Sequence, residues 1–175
     1  MRWRQDSISG GVGMEDSALP PQAQGRALCL RLALGCAPLW LGLSLPIPAQ
    51  AASFREFTGT QSAGSEQITA NDGDEVQFND NSTADQANII TNSGGSTQFN
   101  DDSTAADAIL TNNGTGSLSF TGASTAGNST IVNNGGGTLG FSGAASAETA
   151  SVTNNGSAVF SGASTAGGAT FVTNA

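Results

Sequence analysis

The chain has 175 residues, a net charge of −9 and no histidine, tyrosine or lysine. Without histidine and lysine it lacks the most common general base and the amine that forms Schiff bases. Its excess of acids disfavours nucleic acid and anionic membranes, because both are themselves negatively charged. The composition therefore predicts neither a nucleic-acid-binding protein nor an enzyme of the commonest mechanistic classes.

Residues 1–51 are predicted to be a secretory signal peptide, which either is extended or has its true start at Met14. Arg26 and Arg31 precede an apolar run over residues 32–45, and Ala49-Gln50-Ala51 provides the small-x-small pattern of a cleavage site. A membrane anchor is the alternative, but this run is shorter than the roughly 20 residues that a span requires. We therefore expect a secreted mature chain.

Removal of this leader would also remove both cysteines, Cys29 and Cys36. The mature chain would then have no disulfide and no thiol chemistry. Lipidation at Cys36 is disfavoured, since Ala33 occupies the position where a lipoprotein signal usually has leucine. The remaining chain carries one base, Arg55, against eleven acids.

Residues 52–56 are predicted to be a linker or cap, and residues 57–175 a set of stacked repeats. Phenylalanine recurs at steps of 21, 21, 21, 21 and 19 residues, at Phe57, Phe78, Phe99, Phe120, Phe141 and Phe160. A fixed period of this length is typical of solenoids, whose repeats supply each other's core. No capping sequence follows the last repeat, so we expect a C-terminally incomplete array, either part of a longer protein or with a last coil that frays or self-associates.

Three further columns accompany the phenylalanines. The sixth following residue is always alanine, the eleventh is large and apolar, and the fourteenth is always asparagine. These columns are Ala63, Ala84, Ala105, Ala126, Ala147 and Ala166; Ile68, Ile89, Leu110, Ile131, Val152 and Phe171; and Asn71, Asn92, Asn113, Asn134, Asn155 and Asn174. We expect the apolar columns to form the core and the asparagines to form a hydrogen-bonded ladder at a turn.

Each repeat is predicted to hold two or three short strands. One strand ends at the phenylalanine, as in Ser117–Phe120, and another surrounds the eleventh position, as in Thr130-Ile131-Val132. Gly or Asp stands two positions after each phenylalanine, where we expect a bend. The predicted fold class is all-β: a parallel β-helix (β-solenoid) of about six 21-residue coils, right-handed by the general crossover preference.

Few residues are candidates for chemistry. Asp80, Asp101 and Asp102 would stack in neighbouring coils and could form a paired-carboxylate site for polysaccharide cleavage, although Asp also suits the bend at this position. The acidic segment 71–75 resembles the start of a calcium loop but lacks the downstream glutamate at the required spacing. We therefore expect no enzymatic activity, no catalytic or cofactor-binding residues, no cofactor and no metal.

Two outward surfaces are more suggestive. A separate row of hydroxyls lies at the fifth position after each phenylalanine: Ser62, Thr83, Thr104, Thr125, Ser146 and Thr165. The tenth and twelfth positions predict a flat, uncharged strip rich in β-branched residues: Gln67, Asn88, Ile109, Thr130, Ser151 and Thr170, with Thr69, Ile90, Thr111, Val132, Thr153 and Val172. Such rows resemble the ice-facing sheets of solenoid antifreeze proteins, although threonine and valine also simply favour exposed strands.

The repeat motif itself, as in Phe120-Thr121-Gly122-Ala123-Ser124-Thr125-Ala126, resembles the repeat region of bacterial secreted β-solenoids, such as autotransporter passengers and large surface adhesins. The resemblance covers residues 57–175 and implies a scaffold, so it assigns no functional residue. It implies a secreted or outer-membrane-associated surface protein of structural or adhesive function. Expected partners are other cell surfaces, glycans or further copies of the chain, without membrane insertion of the mature repeats. The alternatives are an ice-binding solenoid and a polysaccharide-acting enzyme.

Overall fold

The computed structural model describes residues 51–174, so the predicted signal peptide lies outside the described residues apart from Ala51. Every strand in the described range has four residues. The odd-numbered strands are β1 (Phe54–Phe57), β3 (Glu75–Phe78), β5 (Ser96–Phe99), β7 (Ser117–Phe120), β9 (Thr138–Phe141) and β11 (Ser157–Phe160). The even-numbered strands are β2 (Gln67–Ala70), β4 (Asn88–Thr91), β6 (Ile109–Asn112), β8 (Thr130–Asn133), β10 (Ser151–Asn154) and β12 (Thr170–Thr173). No helix within residues 51–174 is long and apolar enough to cross a membrane.

The strands form two six-stranded parallel sheets. The odd-strand sheet runs β1-β3-β5-β7-β9-β11 and the even-strand sheet runs β2-β4-β6-β8-β10-β12. Each strand pairs with its equivalent one coil away, so that Phe57 lies beside Phe78 and Ile68 beside Ile89. The register is kept through the 19-residue coil, where Phe141 still pairs with Phe160. The predicted all-β, parallel solenoid of about six coils is therefore confirmed.

A third side of each coil is held by single-residue bridges. The bridged residues are the predicted hydroxyl row, Ser62, Thr83, Thr104, Thr125, Ser146 and Thr165. Backbone hydrogen bonds flank these bridges, as from the Thr83 N–H to the Gln61 carbonyl at 2.9 Å and from the Ala63 N–H to the Thr83 carbonyl at 3.0 Å. One residue per coil is too little for a strand but enough to keep the stacking in register.

At two of the corners between these sides the backbone is left-handed in every coil. The predicted bend two positions after each phenylalanine has positive φ in all six coils: Gly59, Asp80, Asp101, Gly122, Gly143 and Gly162, at 55° to 69°. A second corner, not predicted, lies seven positions after the phenylalanine and also has positive φ throughout: Gly64, Asp85, Ala106, Gly127, Glu148 and Gly167. Glycine and aspartate tolerate this conformation, whereas alanine and glutamate adopt it at an energetic cost.

The core is a continuous stack of the six phenylalanines. Successive ring centroids lie 4.6–4.8 Å apart and successive planes differ by 3–6°. Phe78, Phe99 and Phe120 are fully buried. The Ile/Leu/Val column and the Ala column join the same buried cluster, except in the last coil, where Phe171 is only partly buried and Ala166 is exposed. Each coil thus covers the apolar side chains of its neighbours.

The first coil begins inside the segment predicted as linker or cap. Strand β1 starts at Phe54, and Arg55 pairs in register with the buried Val76. The Arg55 guanidinium lies 5.0 Å from the centre of the Phe57 ring and forms an ion pair with Glu66. A cation over an aromatic face is attracted by the ring electrons. Arg55 therefore covers this end of the aromatic stack, and Phe57 is only 7% exposed.

A buried asparagine ladder, which the sequence reasoning did not predict, lies beside the core. It consists of Asn112, Asn133 and Asn154, each one residue before the predicted asparagine column. The Asn112 Nδ2 donates to Asn133 Oδ1 at 2.8 Å, and the Asn133 Nδ2 donates to Asn154 Oδ1 at 2.7 Å. The same nitrogens also donate to backbone carbonyls, so three consecutive coils are joined through their interior.

The predicted ladder at the turn forms as well, with one break; it is more exposed than the buried ladder, and we call it the exposed ladder. Amide hydrogen bonds of 2.8–3.1 Å join Asn92 to Asn71, Asn113 to Asn92, Asn134 to Asn113 and Asn174 to Asn155. No side-chain bond joins Asn155 to Asn134 within the described chain. The break coincides with the turn that is two residues shorter, since only Asn155 and Gly156 lie between β10 and β11.

Candidate interaction surface

The predicted strip lies on the outer face of the even-strand sheet. Its two rows are continuous, since the parallel register places Ile109 beside Thr130 and Thr111 beside Val132. Inward and outward residues alternate along each strand, as in β8, where Ile131 and Asn133 are buried and Thr130 and Val132 are not. The structure therefore brings together all twelve residues that the sequence placed on this strip.

The strip carries no charge, and apart from the amides of Gln67 and Asn88 its side chains are aliphatic or hydroxylic. Ile109 is 50% exposed and Val172 is 51% exposed, both large for aliphatic side chains on a sheet surface. Thr130, Ser151 and Thr170 form an exposed run of hydroxyls in one row. Adjacent strands lie about 4.8 Å apart, so the side chains repeat at that spacing along six coils. The surface is thus a regular array of small groups that could contact an extended, flat partner.

The hydroxyl row on the third face has a structural role. The Ser62 Oγ accepts a hydrogen bond from the Gly64 N–H at 2.8 Å, and Thr83 and Thr104 accept equivalent bonds at 3.0 Å from residues two positions later. The donating N–H in each case belongs to the corner residue with positive φ. These hydroxyls stabilise the second corner through local side-chain-to-backbone bonds, so they are less available to a ligand.

The three candidate aspartates lie at the first corner. Asp80 and Asp101 have φ near 55° and occupy the glycine position of other coils. The Asp80 Oδ2 accepts from the Gly59 N–H at 2.9 Å, and the Asp101 Oδ2 accepts from the Asp80 N–H at 3.1 Å. These two carboxylates therefore hold neighbouring corners together, while Asp102 is exposed beside them. The expectation that they are not catalytic remains a prediction.

The acidic segment 71–75 is organised around Asp74, which is buried. Its carboxylate accepts from the backbone N–H of Ser53 at 2.7 Å and of Asn71 at 2.9 Å. These two hydrogen bonds favour the ionised form and hold the pKa of Asp74 below its usual value. No group of three acidic side chains within residues 51–174 is arranged to hold a metal ion. Asp74 thus closes the third corner of the first coil.

The outer face of the odd-strand sheet carries a second surface that the sequence reasoning missed. Near β1 it contains Phe54, Glu56, Glu75, Gln77 and Gln98, which we call the amide platform. Phe54 is 59% exposed, the highest value among the large apolar side chains of the described chain. The signal was present in the sequence, because these residues occupy the outward positions three and one before successive phenylalanines.

Comparison with known proteins gives no match: neither a protein-family model, nor a curated protein, nor a solved structure matches the chain. The class of protein is therefore set by the fold alone, and it is an all-β parallel β-solenoid with a stacked phenylalanine core. The likeness to autotransporter passengers and adhesins rests only on the repeat motif.

Proposed function

We propose that this chain is a secreted or cell-surface structural and adhesive β-solenoid, related in kind to autotransporter passengers. The observation that carries the proposal is the strip, whose two uncharged rows follow the whole length of the even-strand sheet. Six coils at the strand spacing make a rod about 25–30 Å long. Its partners would be other cell surfaces, glycans or further copies of the chain.

The area of the strip indicates how it would act. Two residues wide and six coils long, it offers about 250 Å², whereas each partner of a standard stable interface contributes about 800 Å². A single strip therefore gives weak binding. Many copies displayed on one surface would raise the total strength by multivalency without any new kind of contact. This fits an adhesive array better than a tight one-to-one complex.

Export and surface location belong to the same proposal. Their support is the predicted signal peptide in residues 1–51 and the cysteine-free, acidic sequence that follows it. Stable folding without disulfides is provided by stacking, since each inner coil buries its phenylalanine and aliphatic residues against two neighbours. Expression with and without residues 1–51 in a bacterial host, followed by cell fractionation, tests secretion directly.

The adhesive function is tested by an attachment assay with the full chain immobilised on a surface. Lysine substitutions in the strip, Ile109→Lys and Val132→Lys, should reduce attachment of cells, because a charged side chain disrupts the flat uncharged rows. Ser117→Lys and Thr138→Lys add the same charges to the outer face of the odd-strand sheet and serve as matched controls. Equal attachment by all variants, or none by the unaltered chain, would contradict the proposal.

Ice binding is a second candidate, favoured by the in-register rows of hydroxyls and branched aliphatic groups on the same strip. A regular, rigid array could match the repeat of a crystal surface. Thermal hysteresis of the purified chain is the direct measurement. Activity that is absent, or that Thr111→Lys and Thr130→Lys leave unchanged, would exclude this function.

A further inference from the structure

We infer that the amide platform is a binding site for neutral saccharides, an inference that rests on the proposed adhesive function and names one ligand class for it. The platform is separate from the strip, because its residues lie on the outer face of the odd-strand sheet. Its residues come from the first three strands of that sheet, β1, β3 and β5.

The polar groups of the platform are fixed by their own hydrogen bonds. The Gln77 Nε2 donates to Glu75 Oε1 at 2.8 Å, and the Gln98 Nε2 donates to the same oxygen at 2.6 Å. On the neighbouring row, the Asn79 Nδ2 donates to Glu56 Oε1 at 2.8 Å. Glu75, Gln77 and Gln98 are only partly exposed. The side chains are therefore already ordered, which lowers the entropic cost of binding a ligand.

Hydrogen-bonding capacity remains toward solvent. Only one carboxylate oxygen of Glu75 is engaged by these amides among the described residues, so the other can accept a hydrogen bond. The Gln98 Nε2 also donates to Ser96 Oγ at 3.3 Å and so uses both of its hydrogens, whereas the Gln77 Nε2 uses one of its two among the described residues. The amide oxygen of Gln98 is a further acceptor. Carboxylate and amide groups held side by side can both accept from and donate to the hydroxyls of a sugar ring.

Phe54 supplies the apolar part of the site. It pairs in register with Glu75, so its exposed ring stands one strand away from the fixed carboxylate. An aromatic side chain that stays exposed on a sheet offers a flat surface for an apolar face of a ligand. The C–H face of a pyranose ring has this character, while its rim carries the hydroxyls. An aromatic surface beside a few ordered polar groups is the usual composition of a small-molecule site.

The charge and the size of the amide platform restrict the class of saccharide that it can bind. Glu56 and Glu75 would repel uronic and sialic acids, since carboxylates of like charge disfavour one another. Three strands span about 10 Å, which suits one or two sugar rings. A shallow site of this size binds weakly, with a Kd on the order of millimolar. The ligand we infer is therefore a short stretch of a neutral polysaccharide or surface glycan.

The test is a titration of the ¹⁵N-labelled full chain with cellotetraose, chitotetraose, maltotetraose and mannotetraose, each to about 10 mM to cover the expected affinity. We expect at least one to shift the side-chain amide signals of Gln77 and Gln98 saturably. Phe54→Ala should weaken that binding by about tenfold or more. Val159→Ala removes a similarly exposed apolar side chain from β11, at the opposite end of the same sheet, and should leave the affinity unchanged.

The possible failures are distinguishable. No saturable shift with any of the four sugars, or binding that Phe54→Ala does not weaken, overturns this inference. Shifts produced by calcium chloride but not by sugars would show a cation site instead and also overturn it. If none of the sugars binds and cells still attach to Phe54→Ala, the adhesive function stands without this ligand. Sugar binding without any cell attachment would contradict the adhesive function alone.

Discussion

The amide of Asn112 donates to the side-chain oxygen of Asn133 inside the solenoid, 2.8 Å away. In the exposed ladder the direction is reversed, since Asn134 donates back to Asn113 in the preceding coil. Two columns of the same residue type, adjacent in sequence, therefore join the coils with opposite polarity. The buried one also binds backbone carbonyls, so it carries more of the stability.

Truncation of the buried ladder should be costly. The Asn133 Nδ2 donates to Asn154 Oδ1 and to the carbonyls of Gly137 and Ser157. Asn133→Ala removes the donor to Asn154 Oδ1 and the acceptor of the Asn112 amide in the interior, and should destabilise the fold by about 2–4 kcal/mol. Asn134→Ala, in the exposed ladder, should cost less than about 1 kcal/mol. Urea denaturation of both variants measures the difference, and equal effects would show that burial does not matter here.

A glycine column is tied to the same ladder. A Cβ on Gly137 would lie 2.5 Å from Asn133 Oδ1 and 2.8 Å from Asn112 Nδ2, whereas a Cβ on Gly140 meets nothing within 4 Å. Gly137→Ala should therefore lower the melting temperature clearly, by steric displacement of two amides. Gly140→Ala should be neutral or stabilising by up to about 1 kcal/mol, because alanine restricts the unfolded chain. Calorimetry of this pair is decisive, since both replace glycine by alanine within four residues.

Truncation of a phenylalanine should destabilise the protein most in the middle of the stack. Phe120 is fully buried between two rings, and Phe120→Ala should cost about 3–5 kcal/mol. Phe160 is 37% exposed, so Phe160→Ala should cost markedly less. Thermal melting followed by circular dichroism provides the comparison. A larger loss at Phe160 would mean that stability depends on this end of the stack and not on its centre.

Ala106, at the second corner, is one of two residues that adopt the left-handed backbone there at an energetic cost; Glu148 is the other. Ala106 has φ of 50°, where three other coils have glycine. Ala106→Gly should stabilise the protein by about 0.5–1 kcal/mol, because relief of the left-handed strain exceeds the entropic cost of glycine. Ala105→Gly removes a buried methyl group next door and should destabilise it. A chemical denaturation midpoint that falls for Ala106→Gly would show that the corner is not strained.

Stability should depend on acidic pH through Asp74. Its pKa is lowered by the hydrogen bonds from Ser53 and Asn71, so folding favours the ionised form. This contribution is fully present above the unfolded pKa of about 4 and is lost as the pH falls through the lower folded pKa. Between about pH 5 and about pH 3 the melting temperature of Asp74→Asn should therefore fall less than that of the unaltered chain. Asp102→Asn, at an exposed corner, controls for the loss of one charge.

The sequence by itself determined the fold class, the coil length, the apolar columns of the core and the residues of the strip. This was possible because the same pattern of inward and outward residues recurs in six coils with a period of about 21 residues. In a parallel stack, residues at the same position of successive repeats lie next to each other, so the sequence period predicts the register of the strands. The core columns, the strip, the first corner and the exposed asparagine ladder all follow from that rule.

Only the tertiary structure decided which polar groups face inward and which side chains meet between coils. The buried Asn112–Asn133–Asn154 ladder occupies a column that contains Ala70 and Thr91 in earlier coils. Because the residue type in this column changes along the chain, the repeat pattern does not predict a ladder there. The amide platform likewise combines different residue types from three strands, and no single repeat contains it. Such sites depend on contacts between neighbouring coils, whose partners vary along the chain, whereas the scaffold depends on contacts that every coil repeats.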